Sequence, residues 1–359
     1  MKRRALIRHA GISGVLAAGV APAVWAQASV RWRLASSFPQ SLDTIYGGAE
    51  SFAQHVRAVS GGKFEISVHA AGELMPAFEV VDNVRRGTVE AAHTAPYYFA
   101  DKDETFAIGG AIPFGLNSRQ MSAWTFEGNG LKLMREFYAD YNIINFACGN
   151  TGAQMGGWFR KEIRSLADMK GLKFRVGGFT SKVIERMGAI PQNIPGGDIY
   201  QALEQRAIDA AEWIGPYDDQ KLGFNKVAPN YYYPGWWEGG LQLDLYINHK
   251  AYEALSSVNK AILKIASAAA HVEMQAKYDA RNPTALKQLV GAGARLRPFP
   301  ADVMNAAFKE SMALYAQLSL SNPKWRKVYA DYARFRGDQN LWFRFTESTF
   351  DRFMQSQKL

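Results

Sequence analysis

The chain has one cysteine, Cys148, among 359 residues. No internal disulfide can form, and no cysteine stands near the amino terminus to carry a lipid. Beyond the first 26 residues the histidines are His55, His69, His93, His249 and His271, and none of them falls in an HxxxH or HExxH pattern. That removes the commonest zinc-hydrolase signature. No GxSxG is present, Cys148 lies in no nucleophile motif, and the Gly pairs at 156–157, 177–178, 196–197 and 239–240 do not follow dinucleotide or phosphate-loop spacing. Repeats and low-complexity stretches are missing too, as is any run of Lys and Arg after residue 26. Without such a run, nucleic acid and membrane surfaces are poor candidates as partners.

What charge there is concentrates at the start. MKRRALIRHA carries four basic residues and no acidic one, GISGVLAAGVAPAV is small and apolar, and Val24 and Ala26 precede a cleavage point at Gln27. This is the pattern of a secretory signal peptide over 1–26. Its apolar stretch is shorter than the ~20 residues that span a bilayer. Arg3 and Arg4 leave both the general and the twin-arginine export routes open. Lys2, Arg3, Arg4 and Arg8 supply four of the formal +9 charges, so +5 remains on the mature chain. The expected product is free in the periplasm.

The remainder is ordinary globular material, 48% hydrophobic and 21% charged, and long enough for two lobes. Strand and helix signals alternate. VRWRLAS (30–36) puts Val30, Trp32 and Leu34 on one face, KFEISVHAA (63–71) repeats the period, and AESFAQHVRAV between them reads as a helix. Further strands are expected at 143–147, 172–176, 208–213 and 243–248. Such alternation implies an α/β fold with a largely parallel sheet. The segment 258–290 reads as a helix with Ile262, Ile265, Ala269, Val272 and Ala276 on its apolar face, and Asn282-Pro283 is expected to kink or break it.

The chemistry concentrates at strand ends, among Gly and aromatic residues. In DAAEWIGPYDD (209–219) Glu212 sits in an apolar run, where an ionised carboxylate must be paired, hydrogen-bonded or bound to a cation. PGWWEGG (234–240) places Glu238 similarly. Two carboxylates with an amide oxygen and a main-chain carbonyl form a hard oxygen set suited to Na⁺ or Ca²⁺. Pairing with Arg or Lys across a lobe boundary is the competing explanation. In GLKFRVGGF (171–179) Arg175 points away from Leu172, Phe174 and Val176, toward the carboxyl end of its strand. There a guanidinium can hold a carboxylate through two parallel hydrogen bonds, or form an internal salt bridge. In CGNTGAQMGG, Asn150 and Gln154 either face a pocket or satisfy their own turn. The closing segment, with Trp342, Phe343, Phe345, Phe350 and Phe353, either packs on its own lobe or forms a subunit contact.

Taken together, RWRLASSFPQSLDTIYGGAE, VRRGTVEAAHTAPYYFADKD, GNTGAQMGGWFRKEI, GLKFRVGGF, IPGGDIYQALE, IDAAEWIGPYDD and YYYPGWWEGG resemble the extracytoplasmic solute receptors of TRAP transporters. The branch most similar binds 2-oxo acids such as pyruvate together with a metal ion. The resemblance implies a receptor and no enzyme, with a two-lobed, periplasmic-binding-protein-like fold of hinge strands, a long lobe-spanning helix and a C-terminal helical extension. Lobe I would comprise 27–150 plus about 240–285, lobe II 151–239 plus about 286–330, and a dimerisation extension 331–359. Arg175 would clamp the ligand carboxylate with help from Asn150. Gln154, Glu212, the Trp213 carbonyl and Glu238 would hold the cation, and Phe38, Tyr97, Tyr98 and Trp213 would form aromatic walls. Sodium is the expected ion and calcium the alternative. Two Glu, one Arg and a monocarboxylate sum to minus two, which Ca²⁺ would neutralise and Na⁺ would halve. The implied partners are a small carboxylate, TRAP permease subunits and a second copy of the chain through the C-terminal helix, with no nucleic acid. Lactate with calcium, or an aromatic carboxylate, is the alternative cargo; a periplasmic enzyme or a carbohydrate module is more distant.

Overall fold

The computed structural model describes residues 29–357, so the expected export signal at 1–26 lies outside the described residues. Among those described, no helix is long and apolar enough to cross a membrane.

The period-2 segments form one sheet. β1 (Val30–Ser36) pairs in parallel with β2 (Phe64–His69) and with β3 (Ala91–Thr94), with Trp32 opposite Ile66 and Leu34 opposite Ala91. β4 (Ile143–Asn150) closes the far edge. A second sheet is assembled from β5 (Trp158–Phe159), β6 (Lys173–Arg175), β7 (Ile190–Gln192), β8 (Ala210–Ala211), β9 (Asn230–Tyr233) and, from much later in the chain, β11 (Arg295–Pro298). β10 (Gln242–Asn248) returns to the first sheet, giving the orders β2-β1-β3-β10-β4 and β11-β9-β5-β8-β6-β7. β10 runs antiparallel to both neighbours, and β5 is antiparallel to β8 and β9. The fold is therefore mixed α/β, because a single reversed strand in each sheet is what lets the chain cross over and come back.

Each sheet buries its own apolar face. Trp32, Leu34, Phe64 and Ile66 pack with Ala49, Phe52 and Val56 of the helix Ile45–Val59, whose three- and four-residue spacing puts them on one stripe. Two connections join the sheets: 151–157, leaving β4 for β5, and 234–241, leaving β9 for β10. They lie side by side, with Gln154 N donating to Glu238 O at 3.3 Å and Gly235 N to Gln154 O at 3.0 Å.

The helix Ser257–Gly291 differs from the sequence expectation twice. It runs 35 residues through Pro283 without a break. Proline removes a single amide, and the neighbouring Asn282 is held by accepting from Tyr217 N at 3.0 Å, so the flanking bonds carry the helix on. Its buried face is Ile262, Leu263, Ala266, Ala270, His271, Met274 and Tyr278, while Ile265 is 61% and Val272 66% exposed. The row selected by apolar periodicity is thus rotated toward solvent. Close approach explains the choice: Gly48 and Gly149 leave room for the Met274 side chain, a contact that hydrophobic spacing does not report.

The chain ends in the helices Ala301–Ser321, Pro323–Phe345 and Glu347–Ser356. Asn322 caps the second by accepting from Lys324 N at 3.0 Å and Trp325 N at 3.1 Å, and Trp325, Val328 and Tyr332 anchor it. Beyond residue 340 the anchoring stops, and Trp342, Phe345, Phe350 and Phe353 stand in solvent. Packing of this segment on its own lobe does not occur; only Phe343 is half-buried, beneath the Arg119 guanidinium at 5.1 Å.

Candidate solute and cation site

β6 and β8 are parallel neighbours with Arg175 opposite Ala211, so Arg175 and Glu212 emerge side by side at the carboxyl ends of their strands. Arg175 Nη1 donates to Glu212 Oε1 and to the Glu212 carbonyl, each at 2.6 Å, and Arg175 Nε donates to Ile194 O at 3.0 Å. Gly177 N donates to the same Glu212 Oε1 at 2.6 Å. Both side chains of the pair are 1% exposed. This ion pair is what compensates Glu212, and it forms within one sheet, not across a lobe boundary. It also corrects the expected two-point clamp: two of the three guanidinium nitrogens are committed to protein oxygens. Burial opposes the Arg175 charge, yet Glu212, Tyr98 and Tyr97 outweigh it and its pKa is raised. Burial pushes the Glu212 carboxyl up, with Arg175 and the Gly177 amide acting against that.

Glu238, on the returning connection, has no basic partner. It is 2% exposed, and burial together with the Glu212 charge drives its carboxyl well above the usual carboxylate range, the Tyr97 hydroxyl acting against this. On the outgoing connection, Gln154 Nε2 donates to Thr151 Oγ1 at 3.1 Å and Asn150 Oδ1 accepts from Gly152 N at 2.9 Å. Each amide has therefore spent one end on its turn and kept the other. The atoms left buried and unpartnered are Gln154 Oε1, Glu212 Oε2, Glu238 Oε2 and Asn150 Nδ2. Three are oxygens and one is a donor. Buried polar atoms are normally satisfied, so a cluster of orphans marks where something else binds. Among the described residues no group of three or more His, Cys, Asp and Glu is placed to hold a metal. A cation here would rest on the two carboxylates and on amide and main-chain oxygens, the set a hard ion prefers.

The aromatic residues come mainly from the first sheet. Tyr97 and Tyr98 follow β3, edge to face at 5.1 Å, and their hydroxyls face Glu238 and Arg175 respectively. Phe38 is fully buried behind Tyr98, with ring centroids 6.4 Å apart. Trp213 lies under Arg175, 5.1 Å from guanidinium carbon to ring centroid, and a Cβ on Gly196 would come within 2.3 Å of its indole. Of the residues singled out from sequence, Arg175, Glu212, Trp213, Tyr97, Tyr98 and Glu238 act on one another directly; Gln154 joins through the paired connections, Asn150 sits next to that turn, and Phe38 forms a backing layer.

Several supporting residues escaped sequence reading. Thr151 orients the Gln154 amide. Asp219, behind the Glu212 turn, accepts from Trp158 Nε1 at 2.9 Å and Tyr231 Oη at 2.7 Å, and Asp218 accepts from Tyr278 Oη of the long helix at 2.7 Å. Burial raises both acids to about 7. Acidic residues just after a helix-initiating Pro read as a solvated first turn, and nothing in the string announces their buried donors. Phe78, edge-on to Tyr98 at 4.9 Å, was likewise hidden in a loop.

Two sheets joined by paired connections, with a buried anion-and-cation-directed cluster between them, define a two-lobed solute-binding protein. The chain belongs to the bacterial extracellular solute-binding proteins, family 7, whose family model matches residues 35–322. It is 42% identical, over the full length of both chains, to a monocarboxylate 2-oxoacid-binding periplasmic protein of Nostoc sp.. A TRAP transporter solute-binding protein of Bordetella bronchiseptica, a dimer with copurified calcium and picolinate in one active site, superposes with a TM-score of 0.91 at 46% identity, covering 92% of this chain and 98% of that one. A TRAP periplasmic solute-binding protein of Pseudoalteromonas atlantica, with bound sodium and pyruvate, gives 0.87 at 35% identity, covering 92% of this chain and 100% of that one. Members of the family are receptors and not enzymes, and they serve membrane permeases of the TRAP type.

Proposed function

We propose that the chain captures a small 2-oxo monocarboxylate such as pyruvate, together with one cation, and hands it to a TRAP permease in the membrane. The observation that carries this reading is the cluster of unpartnered buried atoms. Gln154 Oε1, Glu212 Oε2 and Glu238 Oε2 would hold the cation with the Trp213 main-chain carbonyl, and Asn150 Nδ2 would donate to the carboxylate. Arg175 would add the nitrogen not spent on Glu212 and Ile194. A carboxylate with an oxygen on the adjacent carbon can also reach one cation through both groups, which lactate shares with pyruvate. Sodium and calcium each accompany a relative's ligand, and sodium is the ion we assign. Picolinate in the Bordetella protein makes an aromatic carboxylate the second candidate for cargo. The reading extends to a cleaved signal over 1–26, a periplasmic location, the lobe boundaries at about 150, 240 and 285, and a homodimer through residues 331–359.

The test is thermal melting of the refolded, ligand-free mature chain with pyruvate, lactate or picolinate, each with Na⁺, with Ca²⁺ and after chelation and desalting. Ligand binding to the native state raises the melting temperature with the logarithm of concentration over Kd. Pyruvate is expected to stabilise only when a cation is present, and Glu238→Gln to abolish that dependence. Equal stabilisation in cation-free buffer would remove the cation from the site.

A further inference from the structure

The molecule leaves two apolar faces in water. One is the outer row of the long helix, where Ile265 is 61% and Val272 66% exposed, continued by Phe126, 47% exposed, on the neighbouring helix. Beside it opens a cavity of about 500 Å³ whose walls include Leu131, Phe146, Tyr252 and Ile265. Two cations on this cavity, Arg135 and Lys264, have no carboxylate partner among the described residues; Arg135 instead lies over Phe146 at 4.8 Å and donates to Asn145 O at 3.2 Å. The other face is C-terminal: Leu341, Trp342, Phe345, Phe350 and Phe353 expose between 57% and 70% of their surfaces. Asp351, beside Phe350, is exposed and forms no ion pair among the described residues.

We infer that these faces are the two halves of one interface: the aromatic C-terminal segment of one copy seats on the Ile265–Val272–Phe126 face of a second copy. This rests on the homodimer reading above and names the surface that receives the segment. Area argues for it. At ~200 Å² per large apolar side chain, the aromatic segment alone offers about 600 Å², the upper limit of what a monomer leaves uncovered. A two-fold axis makes both contacts at once, so two donor and two receiving faces bury roughly 2,000 Å², the scale of a stable dimer. Charge is complementary, since Asp351 approaches a rim holding Arg135 and Lys264. The inference also accounts for the long helix, whose apolar periodicity points away from its own core.

The test uses the mature chain, whose only cysteine, Cys148, is buried. Copies carrying Phe350→Cys and copies carrying Ile265→Cys are mixed and oxidised, and the molar masses of wild type, Phe350→Asp and Ile265→Glu/Val272→Glu are measured by light scattering. The expected results are a wild-type dimer, a crosslink only when both cysteine chains are present, and at least tenfold weaker dimerisation in each charged variant with pyruvate binding retained. If Phe350→Asp is monomeric while Ile265→Glu/Val272→Glu stays dimeric and no mixed crosslink forms, the segment docks elsewhere and only the receiving face falls. A dimer that survives Phe350→Asp overturns the role of the segment itself, and a monomeric wild type overturns both readings.

Discussion

Closure of the cleft depends on one missing methyl group. Gly178 has φ +42°, and a Cβ built on it would lie 2.2 Å from the Tyr97 carbonyl oxygen and 2.7 Å from its carbon. Gly178 follows β6 of the second sheet and Tyr97 follows β3 of the first, so the obstacle exists only while the lobes are together. Gly178→Ala therefore carries two costs. Left-handed strain, ~1 kcal/mol, applies open or closed. The clash applies to the closed form alone: relieving it means separating two backbones by about 1 Å, against a typical overpacking penalty of ~1–3 kcal/mol. Because apparent affinity scales with the population of the competent state, that penalty should weaken pyruvate binding by roughly 5- to 150-fold. Gly171→Ala separates the costs, since Gly171 has φ +74° with nothing within 4 Å of the added Cβ. Both variants should lose similar stability in urea, and only Gly178→Ala should lose affinity by calorimetric titration. Wild-type affinity in Gly178→Ala would mean that the liganded receptor does not bring Tyr97 onto Gly178, and the account of closure would be wrong.

Two further outcomes follow from buried and bridging charge. Asp244, which accepts from Asn145 Nδ2 at 3.0 Å and Gln242 Nε2 at 3.2 Å, is raised from 3.8 to about 7 by burial. The folded chain thus keeps a proton that the unfolded chain gives up, so this contribution is complete below about 4 and is lost as pH rises through about 7. Melting temperature should fall between pH 5 and pH 8, less so in Asp244→Asn, and an unchanged slope in the variant would refute the assignment. Asp43, ahead of the first helix, binds Lys221, accepts from Tyr217 Oη at 3.2 Å, and pairs with Lys277 at 2.8 Å, tying the first lobe to the second and to the long helix. These groups are partly exposed, so Asp43→Asn should cost the closed form only about 0.5–1 kcal/mol. Ligand affinity should drop two- to fivefold at low salt, and the difference should shrink at about 0.5 M salt; a salt-independent loss would point to another cause.

The string disclosed strands better than partners. Trp32, Leu34, Phe64 and Ile66 alternate cleanly, and their faces could be assigned before any coordinates. Arg175 and Glu212 were each conspicuous as charge among apolar residues and glycines, but their mutual contact depends on β6 lying beside β8, a matter of strand order across 37 residues. The receiving groups of Asp218 and Asp219 are tertiary in the same way. The long helix was misjudged because two forces act on it: its own core selects small and close-fitting residues such as Ala266, Ala270 and Met274, while its most regular apolar row faces out.

The distribution of the site over the chain carries a consequence for how cargo is selected. Arg175, Glu212 and Trp213 stand on the second lobe, and Asn150, Gln154 and Glu238 on the paired connections, whereas Phe38, Tyr97 and Tyr98 alone come from the first. Opening withdraws the aromatic residues and leaves the charged and amide groups assembled. An arriving anion is then judged twice, first for its oxygens by a surface already complete in the open form, and afterwards for its bulk, when the tyrosines come down and either meet the glycines or are held off them.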